Sequence, residues 1–158
     1  MAQDKTKVYA HGTLVLWTMH DLDLSRGAAI LTDPSVKKVA IASPKAAPYG
    51  RQAVNAMKRQ GIYQDVQSKL VYGENISQTS QFISTKAADI GFTAKSIVIA
   101  DNMKDKGKWV EVPAADYDPI AQGVIVLKRG IDDTRKFYDF LFSDAAKGIF
   151  QKNGYTTP

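Results

Sequence analysis

The sequence contains no cysteine. Disulfides, thiolate metal sites, iron–sulfur clusters and cysteine nucleophiles are therefore all excluded. Histidine is nearly as scarce: His11 and His20 are the only two, with no carboxylate at metal-ligand spacing. A surface or turn role is expected of them, and neither a free metal ion nor a cofactor is expected in this chain. No apolar run approaches the roughly 18 residues that a membrane-spanning helix needs. Met1-Ala2-Gln3-Asp4-Lys5 has no apolar stretch of the kind a secretory signal carries, so no signal peptide is expected within the chain. Gly-x-Ser-x-Gly is missing, and so is a Gly-rich phosphate loop. Asp21/Asp23 and Asp132/Asp133 are paired acids, the first pair in a loop and the second at a helix start. Neither has a partner that argues for acid–base work, so the residues give no positive argument for an enzyme.

What is present is enough for one folded domain, or a piece of a larger one. Of 158 residues 44% are hydrophobic and 23% charged, which excludes a disordered tail. The net charge of +5 is spread thinly, over Lys37-Lys38, Lys58-Arg59, the lysines between 104 and 108, and Lys128-Arg129. No basic stripe is interleaved with aromatics, so nucleic acid is not an expected partner.

Along the chain, apolar runs alternate with amphipathic ones. Thr13-Leu14-Val15-Leu16-Trp17 reads as a buried strand. Strands are predicted at 38–42, 69–72, 88–93 and 108–112, with helices at 51–60, 76–84 and 96–103 between them. A short helical turn at 28–31 is broken by Asp33-Pro34, and Gly61 stops the 51–60 helix. A further strand is predicted at 120–127, a helix at 131–142, and a last helix capped by Ser143 and ended before Gly154. The βαβαβαβ order points to an α/β fold with a parallel sheet flanked by helices. Phe137, Phe140, Leu141, Ile149 and Phe150 form an apolar stripe that must cover something.

Two strand-to-helix junctions stand out, Ser43-Pro44-Lys45-Ala46-Ala47-Pro48-Tyr49-Gly50 and Gly73-Glu74-Asn75-Ile76-Ser77. Ligands of parallel α/β sheets bind beyond the carboxyl ends of the strands. Each helix start there offers free N–H groups and the positive end of a dipole. Gly50 and Gly73 would let the backbone approach a ligand, giving an anion site that requires no Lys or Arg. Ordinary helix capping explains the same residues, since Asn75 and Ser77 are both good caps.

These junctions resemble those of the periplasmic molybdate-binding proteins of ABC transporters. The resemblance is carried by Lys38-Val39-Ala40-Ile41-Ala42-Ser43-Pro44-Lys45-Ala46-Ala47-Pro48-Tyr49-Gly50 and by Gly73-Glu74-Asn75-Ile76-Ser77-Gln78-Thr79. Tyr9 to Trp17 is similar to that family's hinge strand, Ala88-Asp89-Ile90-Gly91-Phe92 to its third strand, and the stretch from Phe137 to Tyr155 to its C-terminal helices. The resemblance implies a type II periplasmic binding protein, in which two α/β lobes close on molybdate or tungstate through backbone N–H groups and hydroxyls. It implies Tyr49 and Ile76 as ligand-binding residues, joined in the candidate set by Gly50 and Asn75 of the two junctions, a periplasmic location for the parent protein, and a membrane ABC permease as its partner. One branch of the family has a Tyr just after the third strand, where this chain has Ala94, so that hydroxyl contact is absent here.

A second departure is larger. The family's first lobe opens with a βαβ segment bearing Ser/Thr donors, and no residues for it lie before Tyr9. By the resemblance, residues 19–120 form the second lobe, and 8–18 with 121–158 the hinge strands and a remnant of the first. Half the donors would then be missing and the oxyanion held weakly. The apolar strands at 13–17 and 123–127 would lack neighbours and favour a homodimer. Two alternatives remain at this level, an interaction module and an enzyme domain on a flavodoxin-like scaffold, with Glu74 the one acid beside the junctions. A fully ionised dianion needs donors alone, whereas phosphate rewards an acceptor, a role open to Glu74.

Overall fold

A computed structural model describes residues 5–127 and 132–158. Residues 1–4, Lys128-Arg129 and Ile131, the expected first residue of a helix, lie outside the described residues. The chain opens with β1 (Lys7–Gly12) and β2 (Leu14–Thr18), then a 3-10 stretch at Leu24–Thr32 and β3 (Val39–Ala42). Helix α1 (Pro48–Arg59) and the short α2 (Tyr63–Val66) lead to β4 (Leu70–Gly73). Helix α3 (Ile76–Ser84), β5 (Ile90–Ala94), α4 (Lys95–Val98), β6 (Lys108–Glu111) and β7 (Ile120–Val124) follow. The chain closes with α5 (Asp132–Phe140), α6 (Asp144–Lys152) and β8 (Tyr155–Thr156).

The main sheet has five strands in the order β4-β3-β5-β2-β6. β3 runs parallel to β4 and β5, as the alternation of strands and helices requires, and β6 points the same way. The sheet is nevertheless mixed, because β2 inserts antiparallel between β5 and β6. Far from lacking neighbours, β2 is buried at every position. Leu14 to Trp17 are apolar toward both faces, and only a central strand with helices on both sides buries both. The period of two divides the core. Leu14, Leu16, Val39, Ile41, Ile90 and Phe92 face α1, with its Ala53, Ala56 and Met57. Val15, Trp17 and Ala40 face the opposite way, toward Ile83 of α3 and Val98 of α4. Gly91 lies on that second side, where a Cβ would come within 2.7 Å of Ile83 Cδ1.

A second sheet, β7-β1-β8, is antiparallel with β1 in the middle. The N-terminal segment is thus shared out: β1 belongs to the small sheet, β2 to the large one, and Thr13 alone separates them. Helix α6 seats on the small sheet, with Phe150 and Tyr9 rings 5.2 Å apart. The apolar stripe of the last helices divides accordingly. Leu141 is buried, while Phe137, Phe140 and Ile149 are exposed. Ser143 caps α6 by accepting the Ala146 N–H.

Two elements are shorter than the sequence suggests. β7 ends at Val124, and α4 is a single turn that gives way to a loop in which Asp105 and Gly107 both take left-handed backbone. Helix α1 starts earlier than the apolar pattern shows, with Pro48 in its first turn. Proline fits there because its φ is already helical and its missing N–H would have no intrahelical acceptor.

Candidate functional site

β3 and β4 are adjacent and parallel, so Ala42 pairs with Gly73 and both chains leave the sheet at the same rim. The Ser43 N–H donates to the Gly73 carbonyl at 2.7 Å and ties the two exits together. From β3 the chain turns toward β4 through α1, and from β5 it turns the other way, toward β6. Such a divergence opens a crevice outside the strand ends. Helix α1 lies on one face of the sheet and α3 on the other. Their N-termini therefore flank the carboxyl end of β3 from both sides. Tyr49 and Ile76 stand on one rim, at the ends of neighbouring strands.

The two helix starts differ in how their amides are satisfied. At α1 the N-cap is Ala47, which offers no side-chain acceptor. Pro48 has no N–H, so the Tyr49 and Gly50 amides are the first donors, and neither has an acceptor in the helix. At α3 the Asn75 side chain accepts the Gln78 N–H at 2.9 Å, and Gln78 Oε1 accepts the Glu74 N–H at 2.7 Å. The Ile76 and Ser77 amides remain, and the Asn75 side-chain oxygen is occupied as a cap. Replacing Asn75 with Ala is expected to cost about 1 kcal/mol of stability, and replacing it with Gly a few tenths, in urea unfolding. Ser80 fixes the first turn from beneath. Its Oγ donates to the Ile76 carbonyl at 2.8 Å and lies 2.6 Å from Thr93 Oγ1 of β5, so Thr93 is left to donate to Ser80.

The glycines serve packing at this rim. A Cβ on Gly50 would fall 2.0 Å from the Ala42 carbonyl oxygen, and one on Gly73 would fall 2.7 Å from the Thr79 nitrogen. Each missing side chain is filled by protein, which lets α1 and α3 begin hard against the ends of their strands. Glu74 is exposed, and Ala94 is buried at the end of β5, paired with Leu14.

Tyr49 is half-buried, and its ring reaches back to the junction of the two sheets, where its hydroxyl rests on Gly12. Among the described residues the hydroxyl has no hydrogen-bond partner. Burial, with Tyr155 and Tyr117 close by, pushes its ionisation well above the usual tyrosine range. It is therefore a neutral donor at physiological pH. The Tyr117 hydroxyl accepts the Leu14 N–H at 3.2 Å. Beside this junction opens a cleft of about 390 Å³ lined by His11, Gly12, Thr13, Glu111 and Tyr117 among others. Tyr49, Gly50, Asn75 and Ile76 do not line it; the cleft approaches Tyr49 only through Gly12 and Tyr117. Lys95 starts α4 on the same rim. Its backbone N–H donates to the Thr13 carbonyl at 2.9 Å, and its ammonium pairs with Glu111. The rim thus presents amide and hydroxyl donors beside a lysine that already has a counter-ion.

Gly12, Tyr117 and Tyr155 escape the sequence reading. The signal available for Gly12 was a glycine between two β-forming runs, which marks a close approach of another part of the chain. His11 sits in β1, paired with Ala121 and Thr156, where a turn or surface position was expected. Nothing in its local sequence distinguishes a strand that pairs with residues more than a hundred positions away.

The chain is similar to the molybdate-binding protein ModA of Rhodobacter capsulatus, 41% identical over 94% of this chain and 58% of that protein. It is similar also to ModA of Azotobacter vinelandii, 36% identical over 93% of this chain and 59% of the relative. The chain therefore spans somewhat under three-fifths of the length of these curated relatives. Among solved structures, the Azotobacter vinelandii periplasmic molybdate-binding protein superposes with a TM-score of 0.87 at 26% identity, over 99% of this chain and 69% of that one. These relatives are binding proteins by name. The family described as bacterial extracellular solute-binding protein matches residues 1–156, and the chain belongs to that family.

Proposed function

We propose that this chain is the oxyanion-binding part of a substrate-binding component of an ABC transporter, with molybdate or tungstate as its ligand. One observation carries the reading. Two pairs of amides without intrahelical acceptors, Tyr49 with Gly50 and Ile76 with Ser77, flank the carboxyl end of β3. The positive ends of two helix dipoles meet there, and the unpartnered Tyr49 hydroxyl belongs to the same helix start. Amide and hydroxyl groups can only donate at such a spot, which suits a dianion that carries no proton. Relatives that bind molybdate by name support the choice of ion. On this reading Tyr49, Gly50 and Ile76 contact the oxyanion, and Asn75 holds the α3 amides in place. Residues 19–120, with β2 built into their sheet, act as one lobe, and 8–13 with 121–158 as hinge and part of the other. The parent protein works in the periplasm beside a membrane permease.

The expected affinity follows from the donor count. A charge-assisted hydrogen bond contributes about 1.5–3 kcal/mol. A helix dipole adds roughly 0.3–1 kcal/mol. Association costs on the order of 4 kcal/mol or more. If two or three of these donors engage the ion at once, the balance leaves a Kd near millimolar or weaker, about 4 kcal/mol or less. Titration of the chain with molybdate, followed by NMR and calorimetry, should give that value, with weaker binding of phosphate. Sub-micromolar affinity in a proven monomer would overturn the half-site. Amide signals of Tyr49, Gly50, Ile76 and Ser77 that stay still at saturating molybdate would overturn the oxyanion reading.

A further inference from the structure

Tyr49 is anchored by its backbone in the first turn of α1 and touches, at its far end, a different part of the fold. A Cβ built on Gly12 would lie 2.0 Å from the Tyr49 hydroxyl oxygen and 2.9 Å from its Cζ. Real Cβ contacts are longer than either, so the ring fits only because residue 12 has no side chain. Gly12 holds a particular place. It is the last residue of β1, it pairs with Ile120 at the start of β7 and with Tyr155 of β8, and Thr13 alone separates it from β2. Both connections between the small and the large sheet, at residue 13 and at 112–119, therefore meet at the spot where the phenol rests.

We infer that Gly12 is the positioning residue for Tyr49, a seat that fixes the hydroxyl at the junction of the two sheets and so couples ligand contact at α1 to the placement of one sheet against the other. The functional half of this inference rests on the oxyanion reading above; the seat itself is a property of the fold. Any movement of the small sheet shifts Gly12 with Ile120 and Tyr155 together, and Tyr49 must follow or lose its support. Burial at this seat also keeps the hydroxyl protonated above the ordinary tyrosine range, so its ionisation reports whether the seat is occupied.

The test uses the full chain and four forms: wild type, G12A, Y49F and G12A/Y49F. Tyrosine ionisation is followed by absorbance against pH, and molybdate binding by NMR titration. In G12A one tyrosine should titrate lower than in wild type, toward the ordinary range, and this change should vanish in the Y49F background. Molybdate binding should weaken about tenfold or more in G12A, the loss of one charge-assisted hydrogen bond. The double variant should bind no worse than Y49F alone. Unchanged tyrosine titration in G12A, or losses that multiply in the double variant, would overturn the inference. If G12A alone does not fold, G12A/Y49L should recover folding, because leucine ends short of the far edge of the ring; failure of that variant too would overturn it. A titration that moves as expected in a chain that takes up no molybdate would remove the oxyanion reading and leave the seat standing.

Discussion

Trp17→Ala is expected to lose about 3–5 kcal/mol of stability. Trp17 is fully buried in β2, between Gly91 of β5 and Trp109 of β6 in the register of the sheet. It packs with Val15, Ala40, Ile83 and Val98 on the side covered by α3 and α4. Its indole N–H donates to the Lys106 carbonyl at 2.8 Å. Truncation leaves a large cavity that neighbouring strands cannot fill, and it strands that carbonyl in the loop before β6. Domain stabilities are about 5–15 kcal/mol, so the variant should unfold at a much lower urea concentration. Trp17→Phe keeps most of the volume and should lose much less. A Trp17→Ala midpoint near that of wild type would contradict the burial.

Gly50→Ala is expected to be comparably severe, for a different reason. The added Cβ would meet backbone atoms, 2.0 Å from the Ala42 oxygen and 2.7 Å from the Ala42 carbonyl carbon, with Ser43 C at 3.0 Å. No side chain can swing aside. Helix α1 must lift from the end of β3, carrying Ala53, Ala56 and Met57 out of register with the core. Overpacking costs about 1–3 kcal/mol where neighbours can adjust, and a backbone wall places this change at about 3 kcal/mol or above. The Tyr49 amide and ring would be displaced with the helix. Gly148→Ala in α6 is the control, since nothing lies within 4 Å of its added Cβ. It should stabilise by up to about 1 kcal/mol, the helix-propensity difference between Gly and Ala. Thermal unfolding of the two variants should therefore move in opposite directions.

These contrasts mark what the chain discloses before it folds. Strands such as Val39–Ala42 and Ile90–Ala94 were legible because both faces are apolar, and α3 because Asn75 precedes it and its inward positions recur at helical spacing. The α/β class, the two junctions and their common rim followed from the order of elements. The direction and place of β2 did not, because hydrophobic periodicity says that a strand is buried without saying which strands flank it. β2 pairs with residues 74 to 80 positions later in β5 and 90 to 96 later in β6, and no local signal encodes that. The site divided in the same way. The free amides at α1 were expected only as those of any helix start, and the apolar pattern puts that start at 51, because Pro48 and Tyr49 lie outside it. The contact between Tyr49 and Gly12 joins residues from separate parts of the chain, and only the assembled sheets bring them together.

The central place of β2 also sets the order in which the protein can assemble. β3, β4 and β5 are close in sequence and can form a parallel unit as soon as residue 94 is available. Its β5 edge then stays open until β2, made long before, docks against it. β2 in turn keeps a bare edge until β6 is complete at Glu111. Pairings between such distant residues slow folding because a long loop must close before they form. In that interval the strand Leu14–Thr18, apolar on both faces, is the stretch of the molecule most open to pairing with another chain.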